Sequence, residues 1–405
     1  LHLIKTNMPK ISKKGNDLPE SPIRKLVHFA DAAKAKGIHV HHLNIGQPDI
    51  HAPVEAMEVV SNNSLELLPY GSSEGSLEYR KALTNYYSAH QISILPEEII
   101  VTTGASEALS FTLNSVCDAG DEIIIPEPFY ANYNGFAAAA SVNVIPVVSL
   151  FDDQFKLPSL KEIETKITPK TRAILLCNPS NPTGYLYTKE EITALGGLAL
   201  KYDLFFIVDE VYREFIHDEN LSHFSVLQVP GLEENAVMID SVSKRYSMCG
   251  ARVGAMVSRN KSLLATALKF AHLRLSPATY ALMASEAALK APASYLSGVV
   301  KEYTARKNTL ISALSKIKGV RVSNPTGAFY CMVELPVKDA EVFSKWLLTD
   351  FSYENETVMF APAAGFYSTP GYGHKEVRIG FVLNEDKLIR TAEILEKALE
   401  AYPNH

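Results

Sequence analysis

A lysine set among small hydroxyl residues, Ser241-Val242-Ser243-Lys244, is followed eight residues later by an arginine inside Gly250-Ala251-Arg252-Val253-Gly254. The run before it, Val237-Met238-Ile239, is apolar, which places the lysine at the end of a buried strand rather than in open water. Loss of hydration favours a neutral amine over an ammonium, and a neutral amine attacks aldehydes. Ser241, Ser243 and Arg252 suit an anion such as a phosphate monoester. An aldehyde cofactor carrying a phosphate meets both conditions, and pyridoxal phosphate is such a molecule.

Other residues fit the same ligand, each with a plainer reading beside it. Gly104-Ala105-Ser106-Glu107 follows a strand and opens a helix, whose first amides hold phosphate well; alternatively Ser106 simply caps that helix. Asp209 ends the apolar run Phe205-Phe206-Ile207-Val208, and a buried carboxylate needs a cation such as a protonated pyridine nitrogen. The alternative is that Asp209 caps the next turn. Tyr212 could donate to the ring's phenolate oxygen or merely pack. Asn178-Pro179-Ser180-Asn181-Pro182 reads as a tight turn, yet Asn181 could meet the cofactor's O3′ or a substrate carboxylate. Tyr130, preferred over Phe129, could lie flat on the ring, with core packing equally open. Arg378, in a strand of alternating polarity, could bind a carboxylate bidentately, but from the strand alone a surface salt bridge is the stronger reading. Gly46, in Leu43-Asn44-Ile45-Gly46-Gln47-Pro48-Asp49, could let a substrate come close.

These residues need elements to position them. Short apolar strands are expected at 99–102, 122–125, 142–148, 173–177, 205–208, 237–240 and 253–257, with helices between several of them, such as 106–117 and 188–202. Such alternation specifies an α/β fold, a three-layer αβα domain around a mostly parallel sheet, where ligands sit beyond the carboxyl ends of the strands. From 327 onward the pattern is that of a smaller α+β domain. We therefore expect residues 1–45 to form an N-terminal arm and part of the small domain, 46–290 the large domain, and 291–405 the rest of the small domain. The chain has 405 residues, enough for two cores. A net charge of −6 without a basic tract argues against a nucleic-acid partner. No apolar run is long enough for a membrane span. His39, His41 and His42 read as a solvated strand edge rather than a metal site, so no metal is expected. The four cysteines show no CxxC pair, and the start has no signal-peptide core, so a reducing cytoplasm is expected.

In order along the chain, Gly46-x-Pro48-Asp49, Tyr70-Gly71, Gly104-Ala105-Ser106-Glu107, Tyr130, Asn181-Pro182-Thr183-Gly184, Asp209-x-x-Tyr212, Ser241-x-Ser243-Lys244, Gly250-x-Arg252-x-Gly254 and Arg378 resemble the class I/II aminotransferases of the aspartate aminotransferase superfamily, fold-type-I pyridoxal phosphate enzymes. The resemblance implies that Lys244 carries the cofactor and moves the proton between Cα and C4′. It implies that Asp209 pairs with the pyridine nitrogen and that Asn181 and Tyr212 meet O3′. Ala105, Ser106, Ser241, Ser243 and Arg252 would hold the phosphate, and Tyr130 would stack on the ring. Arg378, Asn181 and the Gly46 backbone would take the substrate carboxylate. Tyr70 would reach the neighbouring subunit's phosphate, which implies a homodimer with shared active sites, and the segment around Ser21–Lys25 would line and close the site. Amino-group transfer from an L-amino acid to a 2-oxo acid, by ping-pong kinetics, follows. One branch with acidic substrates has lysine where this chain has Ser106; Arg24 or Arg274 could replace it. An aspartate-like donor with 2-oxoglutarate as acceptor is favoured over alanine or aromatic donors, over a lyase or decarboxylase on the same cofactor, and over a non-enzymatic regulator.

Overall fold

The computed structural model describes residues 9–62 and 65–403; the start of the expected arm, residues 1–8, lies outside the described residues. Seven strands form the main sheet in the order Ile99–Thr102, Gly254–Val257, Ala236–Ser241, Phe205–Asp209, Thr171–Cys177, Glu122–Glu127 and Asn143–Val148. All neighbours are parallel except those of Gly254–Val257, which runs antiparallel to both. This is the expected mostly parallel sheet. Alternate side chains of each strand enter opposite layers, as the pleat requires. Leu175, Ile207 and Ile239 pack against Ala105–Val116 on one face. Leu176, Val208 and Met238 pack against Lys189–Lys201 on the other. The helix Lys189–Lys201 starts on a capping box formed by Thr188 and Glu191.

A second sheet orders Ala361–Pro362, Glu376–Gly380, Tyr330–Glu334 and Arg321–Val322, all antiparallel. Arg378 therefore sits on an inner strand, opposite Met332 and Ala361. The strand His39–His42 pairs parallel with Glu356–Met359, joining the two ends of the chain. His39 stays exposed, as a solvated strand edge requires, but His41 departs from that expectation: it is 6% exposed and bonded to Glu356, an acidic partner far away in sequence. After turns that begin at Pro22, a helix runs from Val27 to Ala35. The polar arm holds one exposed turn of helix, Lys13–Asp17, capped by Ser12. Among the described residues no helix is long and apolar enough to cross a membrane.

Candidate active site

The carboxyl ends of the parallel strands open into a cavity of about 690 Å³. Of the residues singled out from sequence, it gathers Gly46, Ala105, Ser106, Tyr130, Asn181, Asp209, Tyr212, Ser241, Ser243, Lys244, Arg252 and Arg378. Tyr70 is not among them; within one chain it lies 81% exposed. Three neighbouring strands bring Cys177, Asp209 and Ile239 side by side, and Asp209, at the end of the middle strand, lines the cavity. Ser21, Ile23 and Arg24 close it from the N-terminal side.

At one end a helix start, two serines and Arg252 come together. The helix Ala105–Val116 has Gly104 as its N-cap, with φ of 77°, so Ser106 is not the cap. A Cβ on Gly104 would lie 2.3 Å from Nη2 of Arg252 and would push that guanidinium aside, and the positive φ favours glycine in its own right. The first amides of a helix have no partner in it. Facing them, the Ser241 hydroxyl donates to the Val253 carbonyl at 2.8 Å and accepts from Ser243 N at 3.1 Å. Lys244 stands not on the strand but on the one-turn helix after it, Val242–Arg245, and is half-buried. Its Nζ donates to the Gly46 carbonyl at 2.7 Å.

At the other end lies Arg378, 1% exposed, which overturns the surface salt-bridge reading. Its Nη1 donates to Asn181 Oδ1 at 2.9 Å, and its Nη2 donates to the Asn44 carbonyl. The rings of Tyr330 and Phe366 sandwich it, 4.4 and 5.0 Å from the guanidinium carbon. Its charge meets neutral partners, and Nε has no partner among the described residues. A buried guanidinium with free donor capacity is poised for an anionic ligand.

Residues 38–395 match the family described as aminotransferase class I and II. The chain is 30% identical over 403 residues to an aspartate aminotransferase of Bacillus subtilis, covering 97% of this chain and 100% of that one. In structure it superimposes on an aspartate aminotransferase of Thermotoga maritima with a TM-score of 0.88 at 28% identity, over 96% and 100% of the two chains. An alanine aminotransferase from Pyrococcus furiosus gives a TM-score of 0.87 at 29% identity, over 97% and 100%. The chain belongs to the class I and II aminotransferases. Its cofactor is pyridoxal 5′-phosphate.

The cavity fits that cofactor. In this aminotransferase Asp209 is 4% exposed and accepts from Tyr133 Oη at 2.9 Å and from Val211 N at 3.4 Å. Among the described residues no lysine or arginine pairs with it. Burial pushes its carboxyl up to about 6, against the hydrogen bond from Tyr133. Such a group awaits a cation, as the ring nitrogen of the cofactor supplies. Phe129 is core, 2% exposed, whereas Tyr130 lines the cavity and meets Tyr133 edge-on at 5.5 Å. Burial pushes the Tyr130 phenol up to about 12.

Two site residues escaped the sequence reading. Tyr133, in the first turn of the helix Asn132–Ala140, lies three residues beyond Tyr130, a closeness that could have flagged it. The Tyr330 hydroxyl bonds that of Tyr212 at 2.9 Å. It fills the space a Cβ on Gly46 would need, 1.6 Å away. Nothing in the apolar run around Tyr330 marked it.

Proposed function

We propose that the aminotransferase moves the amino group of an aspartate-like donor to 2-oxoglutarate, with the cavity residues in the roles the resemblance implies. The observation that carries this reading is the pair of arginines across the cavity. Arg378 is buried with spare donor capacity, and Arg24 stands at the mouth with no ion-pair partner among the described residues. Both guanidiniums act on the same Tyr130 hydroxyl, favouring its ionised form. Arg274, the other arginine considered, is bound to Glu107 at 2.8 Å and to the Ser73 carbonyl at 2.6 Å, which leaves it committed to the fold. Arg378 would take the α-carboxylate common to all donors, and Arg24 the second carboxylate.

When bound, pyridoxal 5′-phosphate supplies an electron sink for the charge left on Cα as its proton departs. The chain does the rest. The Ala105 and Ser106 amides, the Ser241 and Ser243 hydroxyls and Arg252 anchor the phosphate end. Asp209, held by Tyr133, keeps a negative charge against the ring nitrogen. Asn181 and Tyr212 orient O3′, and Tyr130 covers one ring face. Lys244, as a free amine, would take the proton from Cα and return it at C4′, two bonds away across the nitrogen. Its bond to Gly46 O supports a reach towards the side of the cavity proposed for substrate.

We also divide the chain into an arm with part of the small domain (1–45), a large domain (46–290) and the rest of the small domain (291–405). The main sheet lies wholly within 99–257, the antiparallel sheet within 321–380, and the pairing of His39–His42 with Glu356–Met359 supports giving the first segment to the small domain. A homodimer with shared sites is supported by exposed apolar residues, Leu67 and Tyr70 at 81% and Leu273 at 82%. Four free thiols support a cytoplasmic location.

A half-reaction screen tests the assignment. Amino acids are mixed with holoenzyme and loss of the cofactor's visible band is followed. Aspartate and glutamate should react fastest, and Arg24→Met should raise KM for them by about tenfold while leaving alanine unchanged, as expected for one charge-assisted contact. A preference for alanine in the parent, or an equal effect of Arg24→Met on alanine, refutes the dicarboxylate reading.

A further inference from the structure

Beneath the cavity floor lies a buried ionic cluster that the reaction does not touch. Arg245 is 1% exposed, and its Nη2 contacts both carboxylate oxygens of Asp240 at 2.6 Å while its Nε donates to Glu214 at 2.9 Å. Asp240 also accepts from Tyr87 Oη at 2.8 Å, and Tyr86 Oη donates to Glu214. Arg213 joins the cluster at Asp240, 3.8 Å from its Nη1, and brings Glu210 with it at 2.9 Å.

Its members are the chain neighbours of the site residues. Asp209 faces the cavity and Glu210 the cluster; Ser241 faces the cavity and Asp240 the cluster; Lys244 faces the cavity and Arg245 the cluster. The alternation of the strand pleat, continued through the next turn, makes each cavity residue share a backbone with an ion below.

Such a cluster is a poor way to gain stability, because desolvating the charges offsets their attraction and an apolar core would serve as well. Nor is this one optimised for it. Arg245 Nη1, Glu214 Oε2 and Arg213 Nε are buried without partners among the described residues. What the cluster does fix is geometry. Lys244 rides on a helix of only four residues, too short to hold its own shape. Turning that helix about its axis would swing the Lys244 amine and the Arg245 guanidinium together. The grip of Asp240 and Glu214 on Arg245 opposes the turn. Glu214 lies two residues beyond Tyr212, so the same grip ties the lysine's turn to the segment carrying Asp209 and Tyr212.

We infer that Asp240, Arg245 and Glu214 form a clamp that positions the Lys244 amine for proton transfer. The inference rests on the role proposed for Lys244. Borohydride trapping on the parent holoenzyme, with peptide mapping, tests that role separately; if Lys244 is unlabelled, the role and the clamp both fall.

With Lys244 labelled, the clamp is tested in holoenzymes of Arg245→Met, Arg245→Lys and Glu214→Gln. The readouts are kcat per cofactor-loaded site, KM, and the pH midpoint of the cofactor's visible absorbance. Misplacing a reacting group by about 1 Å costs on the order of 100-fold. Arg245→Met should therefore lower kcat at least about tenfold with KM within about threefold, and shift the midpoint by about half a pH unit or more. Arg245→Lys should recover part of both. A purely structural role would lower the melting temperature yet leave kcat per loaded site and the midpoint at parental values, and that result overturns the clamp. Should Arg245→Met fail to fold, Glu214→Gln, which keeps size and removes charge, decides by the same two readouts.

Discussion

Replacing Asp209 by asparagine separates what this carboxylate costs the empty protein from what it does for the loaded one. Burial raises its carboxyl from an ordinary 3.8 to about 6. At about 1.36 kcal/mol per unit, that is a penalty of ~3 kcal/mol on the ionised form. The folded-state value lies above the unfolded one, so protonation favours the fold. This contribution is complete below about pH 4 and is lost as pH rises through about 6. Asparagine is neutral throughout and can still accept from Tyr133. The cofactor-free variant should gain up to ~3 kcal/mol over the parent at pH 7.5 and nothing at pH 4. With ~2.1 cal/mol/K of unfolding entropy per residue, the gain is a rise of ~3–4 °C in Tm. The assay is differential scanning calorimetry of both cofactor-free proteins from pH 4 to 8. In the holoenzymes the order of merit reverses. The variant has lost the partner proposed for the ring nitrogen, and its half-reaction with the best donor should slow by about 10²–10³-fold. Equal melting temperatures at pH 7.5, or a gap that does not close towards pH 4, would refute the account of Asp209 as an unpaired buried charge. A half-reaction within threefold of the parent would refute its role at the ring.

Lys244→Ala should still bind cofactor through its phosphate and ring contacts but lose transamination by about 10⁴-fold or more; near-parental turnover in stopped-flow would remove Lys244 from the proton transfer. Arg252→Met should weaken cofactor binding by about 10–100-fold, the worth of one hydrogen bond to a charged group, and a fluorescence titration showing no weakening would count against the cradle. Gly46→Ala puts a methyl 1.6 Å from the Tyr330 hydroxyl. It should cost about 1–3 kcal/mol in urea unfolding and break the Tyr212–Tyr330 contact, visible as a fall in kcat/KM; unchanged stability would show that Tyr330 moves aside freely.

The sheet was legible because its strands are short apolar runs ending in polar residues. Phe205–Asp209 shows this best: four apolar residues mark the strand and the terminal aspartate marks the site. The residues proposed for the anion cradle stood out for a similar reason, since small residues and glycine recur where backbone must approach a ligand. Other features depended on tertiary neighbours. Arg378 looked like a surface residue because its strand alternates in polarity; its surroundings come from Asn44, Asn181, Tyr330 and Phe366, none of them near it in sequence. Tyr133 and Tyr330 are aromatics fully committed to the interior, and only their hydroxyl partners give them a role at the site. Glu214, Asp240 and Arg245 each read as an ordinary charge until two strand ends bring them into contact.

The bond from Arg378 to the Asn44 carbonyl joins residues separated by 334 positions. During synthesis on the ribosome, the segment proposed to cradle phosphate emerges well before Arg378 does. The phosphate end can thus be complete in sequence early, while the grip proposed for the α-carboxylate waits until the two ends of the polypeptide have come together.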